Sequence, residues 1–242
     1  YYGGRRPGQN LFAESLVCLD ARTGERKWHY QLVHHGLWDY DPPAAPNLVS
    51  ITVDGRRIDA VVQLTKQGFA FVFDRVTGEP VWPIEERPVP PSDVAGEAAW
   101  PTQPFPTRPP PFEAQGVSLD DAFDLTPELK AAAQAEMKKY RLGPLYTPPS
   151  AEGTIVRPGV WGGANWGGGA FDPDTGLLYF KSAQSLAIFS IRKFDPAEQP
   201  ADRQGEVDAE FIQRSLPPVF MNGLPLTRPP YAHLVAMDLN QG

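Results

Sequence analysis

Phe73-Asp74-Arg75-Val76-Thr77-Gly78-Glu79, with Trp82 close behind, is the stretch that decides the fold. Aspartate and threonine side chains cap a tight turn through hydrogen bonds to nearby backbone. The glycine accepts a positive φ at little cost. The aromatic that follows starts a returning strand and packs on a sheet face. The same pattern opens at Leu19-Asp20-Ala21-Arg22-Thr23-Gly24-Glu25 before Trp28. It recurs at Phe171-Asp172-Pro173-Asp174-Thr175-Gly176 before Tyr179, and Met237-Asp238-Leu239-Asn240-Gln241-Gly242 begins a fourth copy. One such turn is common in any β protein. Four, separated by long and unequal insertions, predict a repeat of hairpins and hence an all-β architecture of the β-propeller type.

Outward from these turns lie β-rich runs bounded by turn residues: 15–19, 27–33, 60–64, 69–73, 177–181, 186–191 and 234–237. Several are almost continuously apolar, as expected of blades covered on both faces. An insertion of about 83–150 interrupts them. Its first part, Pro83 to Phe112, is rich in proline and predicts an extended, largely irregular excursion lying over the propeller, an SH3-type ligand being the other use of such a stretch. One short helix follows. Thr126 is its expected N-cap, Pro127 its first residue and Gly143 its stop, with Leu129, Ala133, Met137 and Tyr140 on one docking face. Residues 1–242 read as one partial propeller domain. The chain opens on Tyr1 and stops inside the fourth turn copy, so it is expected to be a cut from a longer protein.

Composition excludes several classes. The formal charge is −7, and a nucleic-acid-binding surface needs a basic stripe, so no nucleic acid partner is expected. The 28 prolines, about twice average usage, argue against a helical bundle. Cys18 stands alone, which rules out an internal disulfide. No apolar run reaches the length of a membrane span, and no secretory leader is visible.

Three segments could do chemistry. His34-His35-Gly36-Leu37-Trp38-Asp39-Tyr40-Asp41 follows a strand and precedes prolines, so it is a loop at a blade end. Its two carboxylates suit a hard cation and a general base together; a solvated turn around a packed Trp38 fits the same residues. The paired histidines resemble a fragment of a zinc site, but His29 and His233 do not complete one. Lys66 lies in Thr65-Lys66-Gln67-Gly68 between two apolar strands, and matters if that turn points into a central funnel. Trp161-Gly162-Gly163-Ala164-Asn165-Trp166-Gly167-Gly168-Gly169-Ala170 is nearly bare backbone around Asn165 and Trp166. Such a stretch lets main chain approach a ligand or another blade closely. An amide beside an aromatic plane suits a flat polar cofactor.

Together the segments around 33–41, 65–68 and 163–168 resemble the pyrroloquinoline quinone (PQQ)-dependent dehydrogenases, the quinoprotein alcohol, glucose and quinate enzymes. Arg6-Pro7-Gly8-Gln9-Asn10, Pro101-Thr102-Gln103-Pro104-Phe105 and Thr147-Pro148-Pro149-Ser150 are similar to segments of the same family. The resemblance implies an eight-bladed propeller of which this chain is about three blades. It implies Asp39 as the catalytic base that also approaches the metal, Asp41 near that metal, and Lys66, Asn165 and Trp166 against PQQ. The metal would be calcium, with magnesium or a lanthanide as alternatives. It further implies an alcohol, polyol or sugar substrate, ubiquinone or cytochrome c as electron acceptor, a periplasmic location, and any membrane anchor outside this chain. Gly36 departs from an aspartate found in many members. A second function fits the repeats alone: a non-catalytic propeller scaffold for protein assembly, which has no need of Asp39, Lys66 and Asn165 together.

Overall fold

A computed structural model of the chain describes residues 1–195, 197 and 210–242. The strands, in chain order, are β1 (Ser15–Leu19), β2 (Arg26–Gln31), β3 (Asn47–Val53), β4 (Arg56–Leu64), β5 (Ala70–Asp74), β6 (Ile84–Pro88) and β7 (Thr102–Pro106). After α1 (Pro127–Met137) come β8 (Thr154–Val156), β9 (Gly169–Asp172), β10 (Leu177–Ala183), β11 (Ala187–Lys193), β12 (Phe211–Leu216), β13 (Val219–Phe220), β14 (Leu224–Pro225) and β15 (Ala232–Asp238). The strands named here pair with one another antiparallel, and two isolated bridges, Arg141 with Thr154 and Ser150 with Ser190, are parallel. Three of the sheets, β1-β2, β3-β4-β5 and β9-β10-β15, are the blades of a partial propeller. The sheet β8-β11-β12 and the ribbons β6-β7 and β13-β14 lie outside them.

The middle blade shows why its strands read as continuous apolar runs. On β4 and β5, Val61, Phe71 and Phe73 face the first blade, in a cluster with Leu32, Val33 and Trp38. The alternate residues Ala60, Val62, Leu64, Ala70 and Val72 face the third blade and meet Leu178, Phe180 and Met237. A period of two therefore buries both faces, bulky aromatic on one side and small aliphatic on the other. Neither β1 nor β2 is buried in this way.

All four turns share one geometry. In each, the glycine N–H donates to the aspartate carbonyl, at 2.8 Å in the first two, 2.9 Å in the third and 3.0 Å in the fourth. The aspartate carboxylate accepts from backbone N–H groups or the threonine hydroxyl of its own turn. Their placement differs. Trp28 lies flat on Gly78, where an added Cβ would stand 2.6 Å from the indole, and Trp82 lies on Gly242 with the same gap at 2.8 Å. The Trp28 Nε1–H also donates to the Arg75 carbonyl of that turn at 3.0 Å. So the tryptophan of the first blade docks on the turn of the second, and that of the second on the turn of the third. The third turn stands apart in what it touches: its glycine meets Asn240 of the fourth turn rather than an indole, and Tyr179 remains exposed.

Two expectations need correction. The proline-rich stretch is not wholly irregular, since β6 and β7 pair from Ile84 with Pro106 to Pro88 with Thr102. Pro104 and Pro106 fall at alternate positions, so their missing N–H groups share one unpaired edge of a two-stranded ribbon. The helix begins as expected, with the Thr126 hydroxyl accepting from the Leu129 N–H. It ends at Met137 rather than near Gly143, because Lys139 and Tyr140 turn to shorter-range carbonyls. Ala133 and Met137 still dock, with Leu129 and Tyr140 packed beside them, on Ile155 and Ile188.

Candidate active site

Loop 33–41 enters from β2 and is fixed by its own side chains. Trp38 is buried and donates from Nε1 to the Thr147 carbonyl at 2.9 Å; Tyr40 donates to the Pro158 carbonyl at 2.6 Å. The two rings stack at 6.2 Å, and Tyr146 meets Trp38 edge-on at 5.1 Å. Asp39 between them takes φ +65°, a left-handed conformation that an aspartate tolerates better than most residues.

That conformation turns both the carbonyl and the carboxylate of Asp39 to one ammonium. Lys66 Nζ lies 2.9 Å from the Asp39 carbonyl, 3.3 Å from Asp39 Oδ2 and 2.6 Å from Asp41 Oδ1. Three donor hydrogens meet three oxygens. The lysine side chain is only 6% exposed, whereas Asp39 and Asp41 are 41% and 56% open. A desolvated charge is thus paired on its buried side with carboxylates that still reach solvent. Burial and then the charge on Asp39 push the Tyr1 phenol up to about 12.

The glycine-rich segment forms the opposite wall through main chain. Gly163 N–H donates to the Lys66 carbonyl at 2.8 Å, and Ala164 N–H to the Thr65 carbonyl at 3.3 Å. An added Cβ on Gly162, at φ +67°, would stand 2.5 Å from Lys66 Cα, Cβ and Cγ. Beyond it, Trp161, Gly163, Asn165, Gly167, Gly168, Lys181 and Ala183 line a cavity of about 200 Å³. Trp166 is 83% exposed. Asn165 spends its amide locally, donating to the Trp161 carbonyl at 2.9 Å and accepting from the Trp166 N–H at 2.7 Å. The structure therefore brings Asp39, Asp41 and Lys66 into direct contact. It places Asn165 and Trp166 beside them only through the backbone ladder at 163–164.

Sequence reasoning missed Glu14. Its carboxylate fills the space over Gly36, where an added Cβ would stand 2.1 Å from Oε2. Burial raises its pKa to about 7 against the opposing charge of Arg6, with Asp41 and Asp39 adding to the rise. Also missed were Glu86 and Glu97, which pair with His34 and His35. No pattern near these glutamates points to the loop they touch.

The donor chemistry fits a flat anionic quinone: a buried cation, bare main chain that admits close approach, and an open indole plane. For a metal, Asp39 and Asp41 are hard oxygen donors, but they are two. Among the described residues no group of three or more His, Cys, Asp or Glu side chains could hold an ion.

Residues 1–242 match the family described as PQQ glucose/ethanol/alcohol dehydrogenase, β-propeller domain. The chain is 34% identical to quinoprotein glucose dehydrogenase of Escherichia coli (strain K12), over 98% of this chain and 31% of that protein. It is 31% identical to quinate/shikimate dehydrogenase (quinone) of Acinetobacter baylyi, over 98% and 31%. The crystal structure of quinohemoprotein alcohol dehydrogenase from Comamonas testosteroni superposes with a TM-score of 0.56 at 21% identity, over 98% of this chain and 29% of that one. The chain thus spans about a third of the length of the curated relatives it matches.

Proposed function

This chain belongs to the PQQ glucose/ethanol/alcohol dehydrogenase β-propeller family, and on that premise we propose that it supplies the base and the cation for PQQ-dependent oxidation of an alcohol, polyol or sugar to its carbonyl product. The convergence of Asp39 and Asp41 on Lys66, under the bare backbone of Gly162 and Gly163, carries this reading.

Bound PQQ would supply the redox chemistry by accepting the hydride. This chain's residues do the rest. Asp39 is open on one side and takes the substrate hydroxyl proton as general base. Lys66 is a fixed positive charge that would stabilise the quinone oxygen on which negative charge grows. All three of its hydrogens are engaged here. The 3.3 Å bond to Asp39 Oδ2 is the weakest, and giving up that bond to hold the cofactor would also free the carboxylate that acts as base. Asn165 and the exposed Trp166 plane would border the cofactor from the glycine-rich wall. Asp39 and Asp41 would give two of the roughly six to eight oxygens that calcium takes; magnesium or a lanthanide uses the same donors. Ubiquinone or cytochrome c as electron acceptor and a periplasmic setting complete the reading.

The test is reconstitution of the protein with PQQ and calcium or a lanthanide, followed by dye-linked oxidation of alcohols, sugars and cyclitols. PQQ-dependent turnover names the substrate class. Asp39→Asn should keep PQQ binding and lose turnover by roughly 10²- to 10⁴-fold, the range of a general base. No PQQ binding and no turnover with either metal would move the chain to a non-catalytic assembly scaffold.

A further inference from the structure

Three of the four histidines each face a glutamate, and all three glutamates come from one segment, residues 83–113. His34 Nε2 lies 2.9 Å from Glu86, His35 Nε2 lies 2.7 Å from Glu97, and His233 Nε2 lies 3.1 Å from Glu113. The His35 and Glu97 side chains are almost wholly buried.

The other ring nitrogens say more. His35 Nδ1 faces the Gly8 carbonyl at 2.8 Å, so both nitrogens of this ring point at acceptors. His34 Nδ1 faces Gln31 Oε1 at 2.9 Å, while the Gln31 amide nitrogen donates to the Gln9 and Ala13 carbonyls. The glutamine oxygen is thereby committed to His34, whose two nitrogens also meet two acceptors. Each ring is gripped at both nitrogens, on one side by a glutamate of segment 83–113.

The same segment grips the loop and the lysine turn through backbone as well. Gln103 accepts from the His34 N–H at 2.8 Å and donates to the His34 carbonyl at 2.7 Å. Phe112 N–H donates to the Gly68 carbonyl at 2.9 Å, two residues past Lys66. Glu113 accepts from the buried Ser182 hydroxyl at 2.6 Å. One end of the segment therefore holds the loop that carries Asp39, and the other holds the turn that carries Lys66.

We propose that residues 83–113 are a strap that sets Asp39 against Lys66, with Glu86 and Glu97 as positioning residues that hold the His34 and His35 rings in place. The consequence for catalysis rests on the roles given above to Asp39 and Lys66; the strap itself does not.

The experiment is amide hydrogen exchange of the protein, read by NMR at His34 and His35. Glu97→Gln should speed exchange of the His35 amide by about tenfold, as expected of local loosening. Glu86→Gln should do the same at His34; Glu86 is half exposed, so this variant tests the idea even if Glu97→Gln fails to fold. Turnover should fall in each variant that loosens the loop, with kcat changing more than KM. A glutamate variant with unaltered exchange at its histidine overturns the proposal. Faster exchange in a protein with no PQQ-dependent turnover would leave the strap standing and remove the function proposed above.

Discussion

The two walls of the site are built in opposite ways. Loop 33–41 is held by side chains: indole, phenol and imidazole groups reach partners at Thr147, Pro158, Glu86 and Glu97. Segment 161–170 is held by main chain, through N–H and carbonyl groups of Gly163 and Ala164, and leaves Trp161 and Trp166 in solvent. One wall is a set of aimed groups. The other is smooth where its bare glycines meet the lysine turn, with two indoles left open to solvent.

Adding a methyl to the smooth wall should do the most damage. Gly162→Ala places a Cβ 2.5 Å from the Lys66 backbone at φ +67°. Left-handed strain of about 1–2 kcal/mol and overpacking of about 1–3 kcal/mol together predict a loss near 3 kcal/mol. A urea midpoint close to that of the unaltered chain would mean the walls are not pressed together. Lys66→Ala attacks the aimed wall and leaves two carboxylates without their cation. Breaking a buried pair costs about 3–5 kcal/mol, and because both carboxylates are partly open we expect about 2 kcal/mol. PQQ affinity should fall as well; titration calorimetry and denaturation separate the two effects.

Glu14 sharpens the contrast through pH. Its folded pKa of about 7 lies above the ordinary 4.5. The folded chain keeps a proton that the unfolded chain loses, so stability falls as pH rises from about 4.5 to 7. Glu14→Gln should flatten that part of the Tm-versus-pH curve; an equal slope in both proteins removes Glu14 as its source. The smallest effect is expected at Trp166. Trp166→Ala should move stability by less than about 0.5 kcal/mol, as for other open surface positions, while weakening PQQ binding. A large loss of stability instead would make Trp166 a packing residue.

The same contrast explains what was legible in the sequence. Turns were, because Asp74, Thr77 and Gly78 act on atoms within a few residues of themselves. What the turns did not reveal was rank: Gly176 has the geometry of Gly78, yet Gly78 carries an indole from the preceding blade and Gly176 meets only Asn240, a difference set by residues far away in sequence. The β6-β7 ribbon was hidden because proline forbids central strands but not the free edge of a pair. Asp39 and Asp41 were legible as carboxylates in a blade-end loop and Lys66 as a charge between two apolar strands, and the three do meet. The paired histidines were weighed only as metal ligands. Their true partners, Glu86 and Glu97, are 52 and 62 residues away, beyond the reach of any local pattern.

Trp28 on Gly78 and Trp82 on Gly242 have a geometric consequence beyond adhesion. Each contact sets an object of fixed thickness, one indole ring, between successive sheets at the same place in the repeat. The ring is a wedge, and equal wedges turn each sheet by an equal step. Curvature is then a local property, written once per repeat in a glycine and a tryptophan, and closing a circle becomes a matter of counting.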